Sequence, residues 1–146
     1  MSNIFPKYIL TCKDVIHHED DSVSYKNVFE NIEVNDLPGE INFYLVLGIE
    51  HRITKKGNRK ISVKLTDPEG VNVASKDLVF ELSPAAKNQI RFSLNIIDVS
   101  QFVVDAEGTY SILVHHNGEL LTRHDFLVER GIKNDSLIDD HSTVPI

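Results

Sequence analysis

Seven histidines are the most chemically suggestive residues of this chain, falling as the pairs His17-His18 and His115-His116 and the singles His51, His124 and His141. Imidazole ligates metals through a ring nitrogen and titrates near neutral pH, so histidines crowded with carboxylates suggest a cation site. His17, His18, Glu19 and Asp21 are the one segment of that kind, and a hairpin tip could fold them around calcium or zinc. The segment lacks the spaced Asp-x-Asp-x-Asp-Gly pattern of a calcium loop, so an acidic surface turn is the stronger reading and a metal site the alternative. Adjacent strand residues point to opposite faces, so His115 and His116 do not share an ion on a regular strand. His124 is expected to point inward near Tyr110, as a structural imidazole–phenol pair.

A second concentration is cationic. Arg52, Lys55, Lys56, Arg59, Lys60 and Lys64 follow one another with no acid between His51 and Lys64. No aromatic is interleaved to stack bases, so Arg52, Lys55, Lys56, Arg59 and Lys60 are read first as a solvated hairpin tip, with an acidic protein surface as the alternative and nucleic acid not expected. Catalytic signatures are missing: there is no Gly-x-Ser-x-Gly elbow, no Gly-x-x-x-x-Gly-Lys and no Gly-x-Gly-x-x-Gly. No enzyme activity and no cofactor are expected. The lone Cys12, between Thr11 and Lys13, reads as a buried small apolar residue.

The elements that must carry these residues are strands. The 146 residues are 41% hydrophobic and 25% charged, the composition of one soluble domain with a core of its own. The longest apolar run, Phe43 to Leu47, is far short of a bilayer span, and no export signal opens the chain, so no membrane partner and a cytoplasmic location are expected. A net charge of −7 argues against a general affinity for phosphates. It is unevenly spread: from Asp14 to Glu40 eight acids face one base, Lys26, just before the basic run. Such a dipolar chain could pair head to tail with a copy of itself.

Period-2 alternation with turn residues every ten or so positions runs through nearly the whole chain. Ile41, Phe43, Leu45, Leu47 and Ile49 share one face, the core. Ile61, Val63 and Leu65 follow, and the two strands are expected to form a hairpin through the basic loop. Asp67-Pro68-Glu69-Gly70 is a turn signal, and a slip in parity afterwards predicts a bulge or a change of sheet near Ser75 to Asp77. Ser83-Pro84-Ala85-Ala86 is expected to form one helical turn before a strand with Ile90, Phe92, Leu94 and Ile96 aligned. In the last hairpin, a three-residue loop at His116-Asn117-Gly118 is expected to place Tyr110, Ile112 and Val114 on the face of Leu120, Thr122, His124, Phe126 and Val128. Tyr8 to Ile16 and Val23 to Val34 give two earlier strands.

Seven or eight strands predict an all-β, two-sheet antiparallel sandwich over residues 1–130, followed by a tail over 131–146 that is frayed or docked through Leu137-Ile138 or Val144 to Ile146. Gly108-Thr109-Tyr110 resembles the tyrosine corner of immunoglobulin-like and fibronectin-type sandwiches. Ala106 stands where many immunoglobulin domains carry Asp, Ile112 stands where a Cys would follow, and Trp is absent, which excludes an antibody-type domain. Over Ile9 to Val128, the succession Ile9 to Val15, Asn27 to Ile32, Leu37-Pro38-Gly39, Val63 to Gly70 and Gly108 to Leu121 resembles a family of small bacterial proteins catalogued as a domain of unknown function. The resemblance implies a β-sandwich of the bacterial cytoplasm and assigns no catalytic residues. The function expected is a non-catalytic protein-interaction module. It would bind a partner or itself by the basic loop, an edge strand, or an outward apolar patch of Tyr44, Val46, Val79, Ile97 and Leu113. The alternative is a metal- or small-ligand-binding sandwich using the His17–Asp21 loop.

Overall fold

Alternating apolar residues make the regular elements of this chain strands, and in the computed structural model, which describes residues 3–131 and 143–145, there are nine of them. They are β1 (Ile4–His17), β2 (Val23–Val28), β3 (Asn31–Val34), β4 (Gly39–His51), β5 (Gly57–Thr66), β6 (Asn72–Leu82), β7 (Arg91–Val104), β8 (Gly108–His116) and β9 (Glu119–Arg130). One sheet has the order β2-β1-β4-β7 and the other β3-β9-β8-β5-β6. With β1, β4 and β7 opposed to β9, β8, β5 and β6, the strands partition as in an immunoglobulin-like sandwich. The pairings are antiparallel except β3 with β9, which run parallel. Among the described residues, no helix is long and apolar enough to cross a membrane. The tail expected over 131–146 lies outside the described residues, apart from Gly131 and residues 143–145.

On β4 the core forms where the sequence places it. Ile41, Phe43, Leu45, Leu47 and Ile49 of β4 are at most 4% exposed and pack against Ile61, Val63, Tyr110, Ile112, Val114, Phe126 and Val128 of the other sheet. Phe43, Phe126 and Phe29 meet edge to face with centroids 5.5–6.1 Å apart. The Tyr110 hydroxyl donates to the Ala106 carbonyl at 3.0 Å, which is the tyrosine corner. Asp67 closes its turn as expected, its carboxylate accepting from the Glu69 and Val71 N–H groups at 2.9 Å each.

Several connections differ from the sequence reading. β4 and β5 do not form a hairpin: β4 pairs with β1 and β7, β5 with β6 and β8, and the basic segment crosses between sheets. Alternation identifies a strand without saying which strand lies beside it. Val23 to Val34 is likewise two strands in two sheets, β2 and β3. Asn27 at φ 55° lies before the crossing, Phe29 N–H donates to the Thr11 carbonyl and the Glu30 carbonyl accepts from Leu127 N–H.

β6 stays in one sheet. The parity slip falls at Val73, where the register jumps between Leu65 and Thr66, and not at Ser75 to Asp77. Ser83 to Ala86 forms no helical turn; the reversal is at Lys87-Asn88, with Gln89 N–H donating to the Ala86 carbonyl. In β7 the aligned row Phe92, Leu94 and Ile96 faces outward, with Phe92 47% exposed, and Ile97, expected outward, is in the core. A bulge at Gln101, φ 56°, then restores Phe102 and Val104 to the inside.

The last hairpin reaches the expected facing by another route, but its pairing is two residues from the one a three-residue loop gives, with Tyr110 opposite Phe126 and not His124. Asn117 and Gly118 form a two-residue turn, both at positive φ (51° and 79°), and His116 pairs with Glu119. Such a turn alone would bring Arg123 inward. A bulge between Val114 and His115 takes up Leu121, so Val114 faces Thr122 and Ile112 faces His124. Leu120, expected inside, is 55% exposed, and Leu121 packs on the core instead.

Candidate functional site

Where β4 runs out of the sheet, the basic segment is pinned at several points. His51 is 1% exposed, and its Nδ1 accepts from Ile53 N–H at 3.2 Å. Burial pushes the His51 imidazole below its ordinary pKa, with Arg91 and Arg59 adding in the same direction. Arg52 N–H donates to the Asn3 carbonyl at 3.2 Å, and the Ile53 carbonyl accepts from Ala85 N–H at 2.8 Å. The loop is therefore held by its backbone, which leaves its cationic heads directed outward.

Those heads border a cleft of about 830 Å³ at the end of the sandwich. Arg52, Lys55, Arg59 and Lys60 line it together with His116 and Asn117 of the β8–β9 turn, over apolar Ile4 and Ile53; Glu119 is the acid on its wall. Lys56, the fifth expected base, does not line the cleft and pairs with Glu81 at 3.2 Å. Lys60 pairs with Asp77 at 3.1 Å, and the Arg52 guanidinium lies 5.9 Å over the Phe5 ring. Sequence reasoning missed His116 and Asn117, which are some 60 positions away and arrive only because β5 pairs with β8.

The apolar patch expected on the outer faces does not assemble. Val46 is fully buried, in register with Leu10 and Ile96, and Ile97 belongs to the core. Neither can meet a partner. The error lies in treating the outer face of β4 as a solvent face: two flanking strands cover it with their own apolar residues. Tyr44 is half-buried on that face, while Val79 is 63% exposed on β6 in the other sheet. Tyr8 and Phe92 lean together over Gly48 with centroids 5.9 Å apart.

In the acidic hairpin, β1 ends at His17, and the turn closes with Asp21 at φ 66°. Asp20, not one of the expected ligands, accepts from the Ser22 N–H and hydroxyl, which holds its carboxyl below the usual range. His18 Nε2 lies 2.6 Å from Ser24 Oγ. Among the described residues, no group of three or more His, Cys, Asp or Glu side chains is arranged to hold a metal. His17, His18, Glu19 and Asp21 thus share a turn without converging on one point.

His124 does point inward, but its partner is Thr11 of the opposite sheet, with Nε2 3.2 Å from Oγ1, while Tyr110 is engaged by Ala106. A hydroxyl beside an imidazole has the composition of a nucleophile and its base. Thr11 is fully buried and gives its proton to the Phe29 carbonyl at 2.7 Å, so substrate cannot reach it and the pair joins the sheets. Cys12 is buried beside it, and burial raises its thiol pKa, the setting of an inert cysteine.

Residues 7–129 match the model of a family of unknown function, DUF6941. Among solved structures, an immunoglobulin-like protein from Pseudomonas aeruginosa is similar at 14% identity and a TM-score of 0.49, over 88% of this chain and 98% of that one. A β-glucosidase from Listeria innocua is similar at 11% identity and a TM-score of 0.47, over 85% of this chain and 16% of the enzyme. None of the curated proteins matches the chain in sequence.

Proposed function

This chain belongs to the DUF6941 family of unknown function, and for it we propose a non-catalytic binding module that takes an acidic protein segment into the basic cleft. The observation that carries this reading is the convergence of Arg52, Lys55, Arg59 and Lys60 on one concave surface at the end of the sandwich. A cleft with four cationic lining side chains against the one carboxylate of Glu119 concentrates negative charge, and partly exposed Ile53 gives a peptide an apolar contact beside charge. Carboxylates are the matching groups, and Arg and Lys at the mouth supply charge-assisted hydrogen bonds.

Fluorescence anisotropy with a labelled glutamate-rich peptide at 50 and 300 mM NaCl tests this. Binding that weakens with salt is expected, with a roughly tenfold or greater loss, about 1.4 kcal/mol, in Lys55→Glu/Arg59→Glu. Lys56→Gln should bind within about twofold of the wild type. Equal binding by the double variant, or none by the wild type, overturns the reading.

A further inference from the structure

The strand topology sorts charge between the two ends of the molecule. β4 runs from Gly39 to His51, roughly 40 Å at about 3.3 Å per residue. Its His51 end carries the basic cleft. β1 and β7 are antiparallel to it, with Ile4 opposite His51 and Val104 opposite Gly39. The turns after β1 and β7 therefore lie at the Gly39 end. Pro68 belongs there too, since a Cβ on Gly108 would meet it at 2.9 Å.

Every one of those turns is acidic. The turn after β1 holds Glu19, Asp20 and Asp21, the one before β4 holds Asp36, the β5–β6 turn holds Asp67 and Glu69, and the β7–β8 turn holds Asp105 and Glu107. None of the four contains a Lys or Arg. At the opposite end, the connections 52–56 and 83–90 contain Arg52, Lys55, Lys56 and Lys87 and no acid. The runs of like charge in the sequence become two poles because successive turns alternate between ends.

We infer that the acidic segment the cleft takes is the Gly39-end pole of a second copy of this chain, giving head-to-tail association. This rests on the cleft reading and names its partner. The contact joins two different surfaces, so it is heterologous and each copy keeps one free pole. Net charge of −7 on each copy opposes approach at long range. At about 0.15 M salt that repulsion is screened beyond roughly 8 Å, while facing poles in contact still attract.

Sedimentation velocity of the full chain at 100 mM and 500 mM NaCl tests the inference with two variants. One reverses the cleft, Lys55→Glu/Arg59→Glu; the other reverses the acidic pole, Glu69→Lys/Asp105→Lys. Circular dichroism melts confirm that each is folded, and single substitutions replace any variant that is not. The wild type should form concentration-dependent oligomers at 100 mM that dissolve at 500 mM, and each variant alone should be monomeric. Mixed, the two pair intact pole with intact cleft and reversed pole with reversed cleft, so salt-sensitive oligomers that neither variant forms alone should reappear. A wild type that stays monomeric to millimolar concentration while binding the glutamate-rich peptide overturns self-association and leaves the cleft reading intact. If neither copies nor peptide bind, both readings fall. Oligomers that persist in either variant place the interface elsewhere and overturn the inference.

Discussion

Thr11 of β1 and His124 of β9 meet at 3.2 Å across the sheets, and because the Thr11 hydroxyl gives its proton to Phe29, the imidazole Nε2–H is the donor between them. One side of the sandwich is closed by this relay. Beside it, the Phe29 side chain packs edge to face on Phe43 and Phe126, at the point where the chain passes from β2 to β3. Thr11→Val keeps the shape and leaves the His124 N–H and the Phe29 carbonyl without that partner. A loss of about 2 kcal/mol in urea unfolding is expected, with Thr11→Ser losing less.

Acidification should weaken the fold through its inward histidines. Burial lowers the His124 pKa more than Glu30 and Asp125 raise it, and burial lowers His51 as well. A histidine with a depressed folded pKa leaves stability intact above the unfolded value near 6.5, and stability is lost as pH falls from there toward the folded pKa. Tm should therefore drop between pH 7 and pH 5. His124→Gln keeps a side-chain N–H for Thr11 and removes the titration, so it should flatten that slope.

Gly108 has φ +131°, and a Cβ there would lie 2.9 Å from both Cβ and Cγ of Pro68. Neither the backbone nor the proline ring yields readily. Gly108→Ala is expected to cost about 2 kcal/mol. The neighbouring Tyr110→Phe, which loses the hydrogen bond to the Ala106 carbonyl and the longer one from the Ala106 N–H and keeps its packing, should cost about 1 kcal/mol. Thermal melts of the two variants give the comparison.

Val46 separates a core position from a binding position. Fully buried between Leu10 and Ile96, it should lose roughly 3 kcal/mol or more on change to Asp. Tyr44→Ser, on the same face but half-buried, should cost clearly less. Chemical denaturation of both variants is the check, and similar losses would contradict the difference in burial between Val46 and Tyr44.

Much of this protein was legible in the residues. Ile41 to Ile49 marked a core strand, Asp67-Pro68-Glu69-Gly70 a turn, and Gly108-Thr109-Tyr110 the corner, because alternation and turn chemistry are local properties of the chain. The basic run was equally plain, and it supplied most of the candidate cleft. What stayed hidden was which strand lies beside which. Nothing local says that β4 and β5 part into different sheets, that β1 and β7 cover Val46, or that a bulge taking up Leu121 turns His124 toward Thr11. Nor does spacing bring His116 and Asn117 to Arg59, or gather four acidic turns at one end. Pairing depends on how apolar faces from distant segments exclude water together, a property of the assembled core, and the tertiary structure alone decides it.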